Sequence, residues 1–245
     1  MAERKAKPTR GVVTRKSFPW VTVISVVAVI SLAAVVFGYA YTQLSAKNDR
    51  QDALAAWTPS VDNRDPSNRI AGVLKGDYPA GQHVRATQRV AYEQSPPIGG
   101  AHDGTWADCS GAVYASPVRT ENMVHGLEHG AVWIAYNPDR ITGDALDKLS
   151  ARIDGRNYSM MSPYPGLDMP ISLQSWGHQL KLDGADDPRI DQFIQALRTN
   201  PNTYPEAGAT CDTMGGQFDR DNPPPFDGDP PGPDAAPVTG AGENR

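Results

Sequence analysis

The sequence predicts an α+β domain carried behind a single transmembrane helix. Residues 20–41 form an apolar run without one charged side chain. Residues 131–136 (AVWIAY) are a short continuous apolar run rich in β-branched and aromatic residues, as in a buried strand. In residues 190–197 the apolar side chains recur at the i, i+3, i+4, i+7 spacing of an amphipathic helix. Because strand and helix patterns do not alternate strictly, we expect the α+β class.

Residues 20–41 have the length of a membrane span. About 20 residues, each rising roughly 1.5 Å along a helix, cross a hydrocarbon core about 30 Å thick. Trp20 at one end and Tyr39 and Tyr41 at the other suit the two headgroup regions. A cleaved signal peptide is the alternative, but its apolar region is about 7–15 residues long and ends at a small-x-small site. Residues 44–46 (LSA) match that site poorly, so we expect an uncleaved anchor.

The charges around the span predict its direction. Residues 1–19 carry six basic residues and one acid, and basic flanks stay in the cytoplasm. We therefore expect a single-pass protein of the cell membrane with its N-terminus cytoplasmic and its C-terminal domain outside. Both cysteines, Cys109 and Cys211, then fall in a compartment where disulfides persist, and we expect them to pair. Two unrelated thiols, one of them a metal ligand, are the alternative.

Composition divides the chain into five segments. They are a cytoplasmic basic segment (1–19), the transmembrane helix (20–41), a polar stalk (42–68), a globular extracytoplasmic domain (69–217) and a tail (218–245). The tail has seven prolines and four glycines in 28 residues, so we expect it to be disordered. Residues 47–245 carry 17 basic and 27 acidic side chains, a net charge of −10. This charge excludes a nucleic-acid partner, and leaves the membrane and an unidentified protein of the cell envelope as expected partners.

Three further patterns lie in the globular segment. Residues 83–92 alternate as an exposed strand would. Residues 144–152 predict a helix capped by Asp144, with leucines on its inner face. Residues 171–182 predict a strand, or a hairpin bent at Gly177.

The histidines are the candidate functional residues. His125 and His129 are four residues apart, so they share one face of a helical turn, which Gly130 is suited to end. Two imidazoles on one face can converge on a transition metal, with His102 or His178 completing the set and Glu128 supporting it. Imidazole suits copper and zinc alike, and the four core methionines would favour copper if any were a ligand. The alternative is that these histidines only make hydrogen bonds in the core of a metal-free envelope module.

Residues 125–129 also match H-x-x-E-H, the pattern of inverted zinc proteases. That motif needs a sustained helix, and we expect Gly126 and Gly130 to prevent one. The sequence contains no P-loop, G-x-G-x-x-G, C-x-x-C or G-x-S-x-G pattern. We therefore assign no catalytic residue, favour binding over enzymatic activity, and rank a zinc-dependent hydrolase third.

Three segments and the late cysteine resemble a known family. They are SPPIGGAHDGTW, DCSGAVYASPVRTENMVHGLEHGAVWIAY and MSPYPGLDMPISLQSWGHQL. They are similar to a bacterial domain-of-unknown-function family, number 3105, whose members are typically membrane-anchored and carry P-P-x-G-G-x-H, C-G-x-Y and H-x-L-E-H-G blocks. The resemblance covers residues 69–211, and Ser110 departs from it by separating Cys109 from Gly111. It implies this architecture, and no activity is assigned to the family. The matching residues are Pro96, Pro97, Gly99, Gly100, His102, Cys109, Tyr114, His125, Leu127, Glu128, His129, Gly130, Trp133, Trp176 and His178.

Overall fold

The computed structural model describes residues 18–213 and 216–240. The chain divides into two compact units, and the boundary in the sequence falls between Asp52 and Ala53. The predicted basic segment falls almost entirely outside the described residues.

Helix α1, Trp20–Ala55, forms most of the first unit. It has 36 residues, none of them buried, and it is long and apolar enough to cross a membrane. At about 1.5 Å per residue it is longer than a bilayer core is thick, so it extends well past the predicted span. A signal sequence passes the same length and composition test, so α1 indicates membrane anchoring or secretion.

The second unit is a mixed α+β domain, which confirms that part of the predicted fold class. The strands of its main sheet are β1 Leu74–Lys75, β5 Ser110–Val113, β6 Val132–Tyr136, β7 Ser159–Pro163, β8 Ile171–Ser175 and β9 His178–Leu182. Their order across the sheet is β1-β9-β8-β6-β7-β5. Strand β7 is parallel to its neighbours β5 and β6, and the pairs β6–β8, β8–β9 and β9–β1 are antiparallel.

Helices cover both faces of this sheet. They are α2 Thr120–Glu128, α3 Gly143–Ile153 and α4 Arg189–Leu197, and a short 3-10 helix spans Pro66–Arg69. The side chains of β6 alternate between the faces, since Ile134 packs with α3 and α4 while Trp133 packs with α2. The predicted strand, both helices and the hairpin at Gly177 are confirmed. The predicted cap is wrong, because Thr142 is the N-cap of α3 and Asp144 lies in its first turn.

The predicted strand over residues 83–92 is wrong. The chain instead forms two short strands, β2 (His83–Val84) and β3 (Val90–Ala91), separated by a turn. β2 pairs in parallel with β4 (His102–Asp103), and β3 pairs in parallel with β10 (Ala236–Pro237). Each partner is distant in sequence, so the local alternation of side chains did not reveal the break.

The tail also differs from its expected disorder. Within the described part of this segment, Phe218, Ala236 and Val238 are buried, and β10 lies beside β3. Prolines take extended conformations readily and lack only an N–H donor, so such a segment can lie along a domain at its edge. The domain likewise begins before residue 69, because Pro66 and Ser67 of the expected stalk are buried.

Candidate metal centre

Helix α2 carries three of the candidate residues, His125, Glu128 and, at its C-terminal cap, His129. Gly126 lies inside this helix, so the expectation that it would prevent a sustained helix was wrong. A Cβ added at Gly126 would come within 2.8 Å of Met160 Cε, so glycine lets α2 pack closely against β7. Gly130, with φ of +90°, ends the helix as predicted.

Strand β4 places His102 beside His83. The register pairs the two residues directly, and their ring centroids are 5.0 Å apart. The His83 ring also stacks on His125 at 5.0 Å, and the His102 and His125 rings lie 4.7 Å apart. Sequence analysis missed His83, because only the pairing of β2 with β4 brings it to this place.

Four side chains converge here. One ligand atom from each of His83, His102, His125 and Glu128 lies within 4.8 Å of the other three. His83 is exposed and the other three are buried. Trp106 and Trp176 add apolar rings beside the cluster, with centroids 5.4 Å from His125 and 6.0 Å from His102 respectively. A converging set of imidazole nitrogens and one carboxylate has the chemistry of a transition-metal site.

The backbone fixes how three histidines present their nitrogens. The Nδ1 atoms of His102, His125 and His129 each lie 2.7 Å from a carbonyl oxygen, of Gly100, Asp103 and Thr210 respectively. A carbonyl only accepts, so each Nδ1 carries a proton and donates it. In the neutral ring Nε2 is then left with its lone pair. This arrangement orients an imidazole as a metal ligand.

Two buried ligand atoms face each other without a hydrogen bond. His102 Nε2 and Glu128 Oε2 are 2.9 Å apart and both side chains are fully buried. Neither atom has a partner in hydrogen-bond geometry among the described residues. The other oxygen, Oε1, accepts the Gly81 N–H at 2.7 Å. Buried polar atoms are normally satisfied, so a group that both atoms could bind would complete their contacts.

The pKa shifts of His125, His129 and Glu128 favour the binding of a cation. Burial, reinforced by the neighbouring His102 imidazole, lowers the pKa of His125 to about 3. Burial also lowers the pKa of His129. For Glu128 burial acts in the opposite direction, but the His102 imidazole and the Gly81 N–H outweigh it and leave the pKa below its usual value. At neutral pH the site therefore offers neutral imidazoles at His125 and His129 and an ionised carboxylate.

The structure brings together most of the residues that the sequence predicts. His102, His125 and Glu128 meet at one point. Glu128 lies close enough to be a ligand itself, whereas the sequence predicts that it only supports the histidine ligands. His129 lies on the other side of His125, with ring centroids 4.6 Å apart. His178 lies elsewhere, 3.4 Å from Asp65 through its Nε2.

The cysteines form a disulfide between Cys109 and Cys211 in the structure. Met123, Met160 and Met161 are fully buried in the hydrophobic clusters on the two faces of the sheet.

A mixed α+β domain with a buried histidine–carboxylate cluster is thus the class that fold and site define. The chain belongs to the family described as "Protein of unknown function (DUF3105)", whose model matches residues 83–213. The match contains every histidine, the glutamates at 128 and 206 and both cysteines. No curated protein and no solved structure matches the chain.

Proposed function

We propose that this domain binds one transition-metal ion, zinc or copper, in the cluster of His83, His102, His125 and Glu128. The observation that carries the proposal is the buried pair His102 Nε2 and Glu128 Oε2, which face each other without hydrogen-bond partners. A cation bound by both atoms would satisfy them and would neutralise the buried carboxylate, whose other oxygen accepts the Gly81 N–H.

The ligand chemistry favours zinc over copper. Three imidazoles and one carboxylate complete a tetrahedron, the usual geometry of closed zinc sites. Copper(I) prefers sulfur ligands, and the buried methionines lie in the core instead. Because all four ligands come from the protein, the proposed site also argues against the zinc-hydrolase alternative. A hydrolase keeps one metal position open and holds its general base off the metal, whereas Glu128 is itself within ligand distance.

We also propose that α1 anchors the domain to the cell membrane, with the basic N-terminal segment cytoplasmic and the domain outside. The six basic residues before the apolar run support this direction. The disulfide between Cys109 and Cys211 supports an oxidising compartment for the domain. The metal site would then meet ions, or a protein partner, of the cell envelope.

The first test is calorimetry on the full chain in detergent, stripped of metal and titrated with zinc and with copper. We expect about one site, whose affinity falls at least about 100-fold in His102→Gln, since a ligand is lost. His178→Gln is the matched control, because His178 also points its Nδ1 at a carbonyl, that of Trp176, and lies outside the cluster. A wild-type chain that binds neither metal below millimolar concentration would leave the metal-free envelope module as the better description.

Glu128→Gln separates ligation from catalysis in the same titration. A carboxylate that holds the ion predicts an affinity about 10- to 100-fold weaker, because charge and a ligand atom are lost together. If Glu128 is a hydrolytic base, metal binding should be undiminished, and that result would support the zinc-hydrolase alternative. Glu93→Gln, a change at an exposed glutamate, should bind as the wild type does.

A further inference from the structure

A second set of ligand atoms lies on the far side of His125. One ligand atom from each of His125, His129 and Glu206 lies within 4.8 Å of the other two. His129 Nε2 and Glu206 Oε2 are 3.3 Å apart, and the Glu206 side chain is 42% exposed. In the first cluster His102 and Glu128 are fully buried, and His83 is the exposed member.

The loop that carries Glu206 is fastened at several points. The Glu206 N–H donates to the Glu128 carbonyl at 3.3 Å, and the Thr210 carbonyl accepts from His129. The Tyr158 hydroxyl donates to the carbonyl of Ala209 at 2.8 Å, and the disulfide holds the loop at Cys211. The loop is therefore docked on the C-terminal end of α2, and Glu206 is held beside His129.

The two sets share one nitrogen. His125 Nδ1 is committed to the Asp103 carbonyl, so only Nε2 remains for a metal. A single Nε2 lone pair binds one ion at a time. The two positions are consequently alternatives for one ion, and His125 is the ligand common to both.

We propose that His125, His129 and Glu206 form an exchange position, through which a transition-metal cation passes between solution and the buried site. This inference rests on the proposed function. The ion first binds Glu206, His129 and His125 near the surface. It then keeps its bond to His125, loses those to His129 and Glu206, and gains bonds to His102, Glu128 and His83. The ion keeps its oxidation state throughout, so the transfer needs no redox partner.

The experiment measures loading rate and affinity separately. Metal-free full chain in detergent is mixed in a stopped-flow instrument with zinc buffered by a chromogenic chelator. We expect Glu206→Gln and His129→Gln to slow loading about tenfold while leaving the equilibrium affinity of the buried site nearly unchanged. Asp212→Asn, an exposed acid in the same loop, removes the same charge and should load as the wild type does.

A second arm isolates the exchange position. His102→Gln should keep weak, rapidly exchanging zinc binding, and adding Glu206→Gln should abolish what remains. Normal zinc binding with unchanged loading in Glu206→Gln and His129→Gln would overturn the exchange position and leave the proposed function intact. Two zinc ions held at once would overturn the shared ligand. A wild-type chain that binds no zinc would instead defeat the proposed function itself.

Discussion

At His102, His125 and His129 the same contact recurs, an Nδ1–H donated to a backbone carbonyl at 2.7 Å. Each acceptor lies in a segment that the fold holds in place: the turn at Gly100, strand β4 and the loop before Cys211. The imidazoles are therefore oriented before any metal arrives, and binding does not have to order them. His178 makes the same contact, to the Trp176 carbonyl, without joining the cluster, so what marks the other three rings is that they also lie side by side.

A second residue-scale feature is Asp65, whose carboxylate contacts His178, Lys75 and Ser67. Burial raises the pKa of Asp65, but the hydrogen bonds from His178 and Lys75 outweigh it, so the pKa lies well below the usual value. A folded-state pKa below the unfolded value stabilises the fold at every pH above the unfolded value of about 3.9. The stabilisation is lost as pH falls further towards the folded value.

We therefore predict that Asp65→Asn lowers the thermal midpoint of the metal-free chain at pH 7 and at pH 5. The difference from wild type should shrink at pH 3, where the wild-type carboxylate begins to lose its advantage. Thermal unfolding followed by circular dichroism at the three values measures it. A difference of the same size at pH 3 and pH 7 would mean that the carboxylate charge is not the stabilising feature.

At the scale of elements, the end of α2 depends on Gly130. Its φ is +90°, and a Cβ there would come within 2.7 Å of the Tyr204 ring. Gly155 follows α3 in a comparable way, with φ of +65°, but has nothing within 4 Å of an added Cβ. The two glycines thus share the backbone requirement and differ in the crowding around them.

Gly155→Ala should cost about 1 kcal/mol, the usual penalty of a left-handed alanine. Gly130→Ala should cost about 1–3 kcal/mol more, because the Tyr204 ring must move. Chemical denaturation of both variants measures the difference. Equal losses of unfolding free energy would show that the Tyr204 ring moves without cost and does not fix its loop to the end of α2.

Elements with a continuous or periodic pattern of apolar residues are those that the sequence predicts well. Strand β6 and helix α4 each bury a continuous or periodic set of apolar residues, so the pattern alone identifies them. The pair His125 and His129 was found for the same reason, since both lie on one turn at the end of α2.

Residues brought together by distant pairing escaped prediction. His83 reaches the cluster only because β2 lies beside β4, two strands of two residues each. Glu206 reaches His129 because the disulfide and the Glu128 carbonyl hold its loop. Short strands and docked loops leave almost no periodicity, because most of their stabilisation comes from contacts outside the segment.

At the scale of the whole molecule, the proposed orientation has a direct test. A reporter active only outside the cytoplasm should work when fused after Arg245 and fail when fused before Met1. The reason is the charge asymmetry of residues 1–19, which favours a cytoplasmic N-terminus. Enzymatic activity of the two fusions in intact cells measures the topology, and activity at the N-terminal fusion alone would reverse the orientation.

The C-terminal segment bears on how soluble versions of this domain are designed. Val238 accepts the Ala101 N–H through its carbonyl at 2.7 Å, and a Cβ at Gly100 would come within 2.5 Å of it. In the same turn, the Gly100 carbonyl accepts the hydrogen bond that orients the His102 ring. The proline-rich composition of the tail suggests ending a recombinant fragment at residue 217. Such a fragment would lack Val238 and therefore the hydrogen bond that its carbonyl accepts from Ala101. Fragments intended for metal titration should run from residue 53 to at least residue 240, and low affinity in a shorter one would be uninformative about the native chain.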